Sequence, residues 1–218
     1  MQRPTIATKT KGDEPVNSGW RKKPKQGRSE ATARAVLLAA EELFGAYGYQ
    51  DTTLESIAAR AGVGTSSIYD YFLNKGALAL ALLENTAQEA AQRIRQILVE
   101  AGGEELESSV PKLVYRIYQE YKLNKSILIN LAQEVPGLQA KNVYSMDRLI
   151  NRASLLHLYI HEDRFQGRDL PKQQAFAILI FTASVKHYLT LEPDLVDESE
   201  FLDQLSETML DHLLDRRH

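Results

Sequence analysis

No cysteine occurs among the 218 residues, so the chain has no disulfide framework and no thiolate metal site. Tryptophan occurs once. No sign of charge dominates: 26 Lys and Arg stand against 29 Asp and Glu, a formal net charge of −3. That balance argues weakly against wholesale coating of a polyanion, although the distribution of charge matters more than its sum. No apolar run approaches the ~20 residues that span a bilayer, and the N-terminus lacks the apolar core of a signal peptide. A cytoplasmic protein without membrane contact is expected. G-x-S-x-G, P-loop and dinucleotide fingerprints are missing, and no spacing links Ser, His and Asp into a nucleophilic set. These absences point away from an enzyme, and no cofactor is expected. What remains, 44% hydrophobic and 25% charged residues, suits one or two domains with a real core.

The chain is organised around Thr52–Lys75, TTLESIAARAGVGTSSIYDYFLNK. Thr52 and Glu55 have capping-box spacing, and Leu54, Ile57, Ala58 and Ala61 form the apolar face of a short helix. Gly62 can end that helix in the left-handed conformation, with Val63 and Gly64 as the turn. Thr65 or Ser66 can cap a second helix that turns Ile68 and Phe72 inward and leaves Thr65, Ser66, Ser67, Tyr69 and Asp70 outward. Asn74 caps a long helix from Lys75 to about Leu98. Two short helices joined by a glycine turn form either a helix-turn-helix or a plain helical hairpin. In the first case the second helix presents its N-terminal side chains to DNA base edges. Before this unit, a helix from Ser29 carries Ala33, Val36, Leu37, Ala40, Phe44 and Tyr47 at helical spacing, and Gly45 and Gly48 punctuate its end.

Residues 29–76 resemble the DNA-binding domain of TetR-family transcriptional regulators. The resemblance rests on AEELFGAYGYQDTT followed by IAARAGVGTSSIYDYFLNKGAL, where glycines, aromatics and the terminal lysine fall in register. It implies an all-α protein with an N-terminal three-helix helix-turn-helix head (29–75) and a C-terminal helical ligand-binding and dimerisation domain (76–218). It also implies a homodimer on a pseudo-palindromic double-stranded DNA operator, usually as a repressor released by a small-molecule effector. Tyr69 and Lys75 match family positions that contact phosphate. Thr53 can do the same, and the helix from Thr65 to Tyr71 reads the half-site. The chain departs from the family at Glu55, where Arg or Lys is frequent, at Thr65, where a long polar residue is, and at Asp70, where an aromatic is. Asp70 has two readings: acceptor from a cytosine amino group, or surface residue paired with a neighbouring base.

Between Ala31 and Gly76 three bases, Arg34, Arg60 and Lys75, face five acids, Glu41, Glu42, Asp51, Glu55 and Asp70, a poor balance for approaching phosphates. Residues 1–28 are polar and aperiodic and are expected to be a disordered arm. Arg21, Lys22, Lys23, Lys25 and Arg28 make its second half basic, either a solubilising tail or a DNA-contacting arm.

Beyond residue 104 five further helices are expected, one of them from about Gln139 to His161. In a TetR-like body Leu83, Thr86, Tyr115, Tyr118, Tyr121, Leu131, Met146, Ile150 and Phe181 would line an apolar effector pocket bearing a few hydroxyls. Phe176, Leu179, Ile180 and Ala183 cannot share one small core with Ile178, Phe181 and Val185, so the penultimate helix buries two faces. The last helix is similar, with Phe201, Leu205, Met209 and His212 in one stripe and Leu202, Leu210 and Leu213 beside it. The family pairs two such helices across a two-fold axis. His157 and His161, four residues apart, share a helical face and offer a weak metal motif. A metal-responsive regulator and a helical interaction protein without DNA binding are the alternatives to this reading.

Overall fold

The computed structural model describes residues 19–24, 27–135, 154, 158, 160–165, 167–191 and 196–214. These residues form eight α-helices and no strand. The chain divides into two compact units, residues 1–84 with 130–140, and residues 85–129 with 141–218.

The first unit contains α1 (Gly27–Asp51), α2 (Leu54–Ala61), α3 (Thr65–Tyr69), the start of α4 (Lys75–Glu100) and the short α6 (Ala132–Glu134). Its core is Val36, Ala40, Phe44, Ile57, Ile68 and Phe72, each at most 4% exposed. Gly48 breaks α1 at φ 76°, ψ 173°, backbone that a side chain rarely tolerates, and so turns Tyr49 into the interior. The Tyr49 amide then donates to the Glu134 carboxylate of α6.

The start of α2 differs from expectation by one residue. Thr53, not Thr52, is the N-cap: its hydroxyl accepts from the Ser56 amide at 3.1 Å, and Ser56 Oγ accepts from the Thr53 amide at 3.2 Å. The Thr52 hydroxyl lies within donating distance of the Gly48 and Leu43 carbonyls, at 2.8 and 3.2 Å, and Glu55 is left exposed. Gly62 ends α2 in the left-handed region at φ 68°. Gly64, rather than Thr65 or Ser66, caps α3, and no side chain takes part. Asn74 Oδ1 accepts from the Ala77 amide at 2.8 Å and starts α4 as the sequence predicts.

Residues 19–24 depart from the expected disordered arm. They lie on the first unit, with Trp20 against Phe72, ring centroids 4.9 Å apart.

The second unit holds the rest of α4, α5 (Leu106–Leu123), α7 (Leu170–Thr190) and α8 (Glu198–Leu214). Ile94, Leu98, Leu106, Val114, Tyr121, Val185, Leu205 and Met209 belong to its apolar core. Tyr188 and Phe201 stack at 4.0 Å, and both lie beside Tyr118, whose hydroxyl donates to Glu198 at 2.9 Å. After α5 the chain winds through a π-helical turn, Ser126–Leu131. Of the predicted Gln139–His161 helix only Ser154, Leu158, Ile160 and His161 are among the described residues.

Candidate nucleic-acid interface

The geometry of the head follows from its short helices. A five-residue helix cannot persist alone. α3 is fixed because Ile68 and, just after the helix, Phe72 are fully buried, and because α2 is capped at both ends. This leaves Ser66, Tyr69 and Asp70 exposed on α3 and its C-cap, with Thr65, Ser67 and Tyr71 half-buried beside them. The surface is polar, carries hydroxyls and one carboxylate, and has no cation of its own.

Nearby cations are committed elsewhere. Arg60 pairs with Glu42 of α1 at 2.6 Å. Lys75 turns inward: its ammonium donates to the Tyr49 carbonyl at 2.7 Å, the Thr52 carbonyl at 2.9 Å and the Gln50 carbonyl at 3.4 Å, and lies 4.3 Å from the Tyr49 ring centre. Burial pushes its pKa below the ordinary value, with Asp51 opposing. The group expected to meet phosphate thus also braces the end of α1, bonding Tyr49 and Gln50 in its last turn and Thr52 just after it. Thr53, expected beside it, caps α2 with a hydroxyl oxygen that accepts from the Ser56 amide. Arg34 is exposed on α1, and Arg28 is exposed at its start.

The arm supplies what the helices lack. Arg21 is tied to the end of α3, its amide donating to the Tyr71 carbonyl at 2.8 Å and its guanidinium to the Tyr69 carbonyl at 3.3 Å. Lys22 and Lys23 are exposed. Lys25 lies outside the described residues. Trp20 carries no functional reading in the sequence; a lone aromatic beside a glycine in a polar stretch was the signal available.

The residues expected around the effector are less united. Tyr115 is 53% exposed, and Leu83 and Leu131 fall in the first unit while Thr86, Tyr118, Tyr121 and Phe181 fall in the second. Met146 and Ile150 lie outside the described residues. Phe181 does line a cavity of about 100 Å³ within the second unit, together with Leu98, Val114, Ile117, Met209 and Leu213. Its polar members are Gln174 and Ser154, joined by a hydrogen bond of 2.6 Å from the amide to Oγ. The Tyr118 hydroxyl, expected in the pocket, is spent on Glu198 instead; burial, then that bond, push its pKa up. His157 lies outside the described residues, and among the described residues no three His, Cys, Asp or Glu gather as a metal set would.

These features define an all-helical protein built from a helix-turn-helix head and a separate helical body. The family model for bacterial regulatory proteins of the tetR family matches residues 36–82. A TetR-family transcriptional regulator from Mesorhizobium loti, described as putative, is 17% identical with a TM-score of 0.71, covering 86% of this chain and 98% of its own. The fatty acid degradation regulator FadR from Bacillus halodurans is 19% identical with a TM-score of 0.60, covering 85% and 99%. SmeT, the repressor of the Stenotrophomonas maltophilia multidrug efflux pump SmeDEF, is 20% identical with a TM-score of 0.60, covering 87% and 91%. Among curated proteins none matches the chain. The chain thus carries the tetR-family DNA-binding segment within the fold of TetR-family transcriptional regulators, and that fold supports a DNA-binding regulator. Among the described residues no helix is long and apolar enough to cross a membrane.

Proposed function

We propose that the chain is a homodimeric transcriptional regulator that represses from a pseudo-palindromic operator and is released by a small, largely apolar effector. The observation that carries this reading is α3: a short helix pinned by Ile68 and Phe72, with Ser66, Tyr69 and Asp70 exposed, inside the segment that matches the tetR family. Thr65, Ser66 and Ser67 meet base edges, Tyr69 meets phosphate, and Asp70 accepts from a cytosine amino group. Two heads on a two-fold axis bind half-sites about one helical turn, ~34–36 Å, apart.

Dimerisation is supported by α7, whose Phe176, Leu179 and Ala183 are exposed on one stripe while Ala177, Phe181 and Val185 are buried on another. A second copy covers that stripe. The effector enters the Gln174–Ser154 cavity, where the amide and hydroxyl meet one hydrogen-bonding group on an apolar frame. At about 100 Å³ the cavity is smaller than the ~150 Å³ that holds benzene, so all but the smallest effectors must widen it. One neighbour is described as a repressor, which supports the repressor part of this reading.

Selection from random DNA tests the reading. The wild type yields a two-fold-symmetric consensus, and Ser67→Ala shifts it; an identical consensus removes Ser67 from base readout. Leu179→Glu converts the dimer to monomer in sedimentation velocity. In a thermal-shift screen, an effector at a hundred times its Kd adds ~2.7 kcal/mol. A bulky polyanion as the tightest inducer contradicts the proposed cavity.

A further inference from the structure

Gly19 and Trp20 fasten the basic arm to the head before any partner arrives. A Cβ on Gly19 would stand 2.4 Å from the Ala81 amide nitrogen of α4, so glycine alone fits there. Trp20 follows, its ring tilted 43° against Phe72, which is fully buried between α3 and α4. Arg21 then makes its two hydrogen bonds to the carbonyls of Tyr69 and Tyr71, groups that the end of a short helix leaves without helical partners. Lys22 and Lys23 come next and are exposed, Lys23 within electrostatic reach of Glu84. Arg21 is therefore held at the end of α3, where α3 itself offers hydroxyls and a carboxylate, and Lys22 and Lys23 stand exposed directly after it.

We propose that Gly19 and Trp20 form a latch that holds Arg21, Lys22 and Lys23 as a preordered clamp for the DNA phosphates flanking the base-reading helix. The proposal rests on the DNA-binding reading. A free tail of equal charge loses its backbone freedom when it settles on DNA, whereas the latched run has lost it on folding. The clamp raises affinity for every duplex alike, because phosphates carry no sequence.

The sole tryptophan makes the latch observable. In the full-length wild type, Trp20 emission is blue-shifted and protected from acrylamide. Gly19→Val, which leaves every charge in place, shifts it to that of a solvated indole. With the duplex that wild type selects from random DNA, Gly19→Val binds about tenfold more weakly or worse. Its log–log salt dependence is flatter by about two units or more, since each lost phosphate contact removes ~0.9. Its ranking of operator variants is unchanged. Trp20→Phe retains the aromatic contact and restores most of the affinity; Trp20→Ala does not. Far-UV circular dichroism confirms that each variant is folded. Wild-type affinity and salt slope in folded Gly19→Val and Trp20→Ala overturn the clamp alone. Freely quenched Trp20 in the wild type overturns the latch. A wild type that selects no duplex overturns the DNA-binding reading and the clamp with it.

Discussion

The head and the body are both all-helical, yet different forces specify them. In the head, helices of eight and five residues are too short to persist alone, and their ends do the specifying. Thr53 and Ser56 cap one end of α2, Gly62 the other, Asn74 starts α4, and Lys75 gathers three carbonyls at the end of α1. In the body, helices of 18, 21 and 17 residues lie side by side, and apolar bulk specifies them. End chemistry tolerates little change in geometry. Bulk packing tolerates more, and leaves room for a cavity. On the proposed function, a surface that presents fixed side chains to DNA and an interior that admits a guest call for these two different solutions.

The most direct way to break this comparison is Phe72→Ala. Phe72 is fully buried in the head and touches Trp20. The substitution should cost ~3–5 kcal/mol. Because the sole tryptophan lies in the head, its thermal transition should fall well below the main transition in circular dichroism. If the two fall together, the head and body are one cooperative unit and the contrast is lost.

Lys75→Met comes next. Hydrogen bonds to a charged group are worth ~1.5–3 kcal/mol. The head should lose about that much, read by Trp20 emission, while the salt slope of operator binding stays at the wild-type value. A flatter slope would return Lys75 to the phosphates.

The same substitution at two glycines of α1 should act in opposite directions. At Gly48, φ 76° is wrong for alanine and the new Cβ would stand 3.0 Å from Glu134 Oε2, so Gly48→Ala should destabilise by ~1–3 kcal/mol. At exposed, helical Gly45, alanine should stabilise by ~0.5–1 kcal/mol. Denaturant titrations of both variants decide this.

The smallest effects concern pH. Burial raises the Glu84 pKa above 4.5, so its contribution is fully present below pH 4.5 and is lost as pH rises through the folded value. The Lys122 hydrogen bond lowers the Glu198 pKa, so its contribution is present above 4.5 and is lost as pH falls through the folded value. Near neutrality Glu84→Gln should therefore stabilise the head and Glu198→Gln should destabilise the body, both by under ~1 kcal/mol because both groups reach water. Both differences should vanish in acid.

Legibility follows the same division. Gly62, Asn74 and the inward Ile68 and Phe72 could be read because each acts within a few residues of its place. The capping box was misread by one position because two threonines offered similar spacing. What decided between them, the Leu43 and Gly48 carbonyls beside the Thr52 hydroxyl, belongs to another helix. Lys75 as a brace and Trp20 as an anchor depend on partners 23 and more residues away, which no local window contains. In the body, the two-sided apolar pattern of α7 was legible. The cavity was not, because a row of tyrosines looks alike whether its hydroxyls face a guest or, as with Tyr118, a glutamate.

The π-helical turn at Ser126–Leu131 sets the phase of α6, which follows it directly. A π turn has one residue more than the α-turn it replaces, the trace an inserted codon leaves in a helix. Deleting one residue there would restore regular winding and rotate α6 by about 100°. α6 carries Glu134, which accepts from the Tyr49 amide and stands beside the strained turn at Gly48, so the helix face that bears it would turn. Composition and hydropathy would be almost unchanged. In this chain a single-residue change of length at that turn is a larger event than most substitutions.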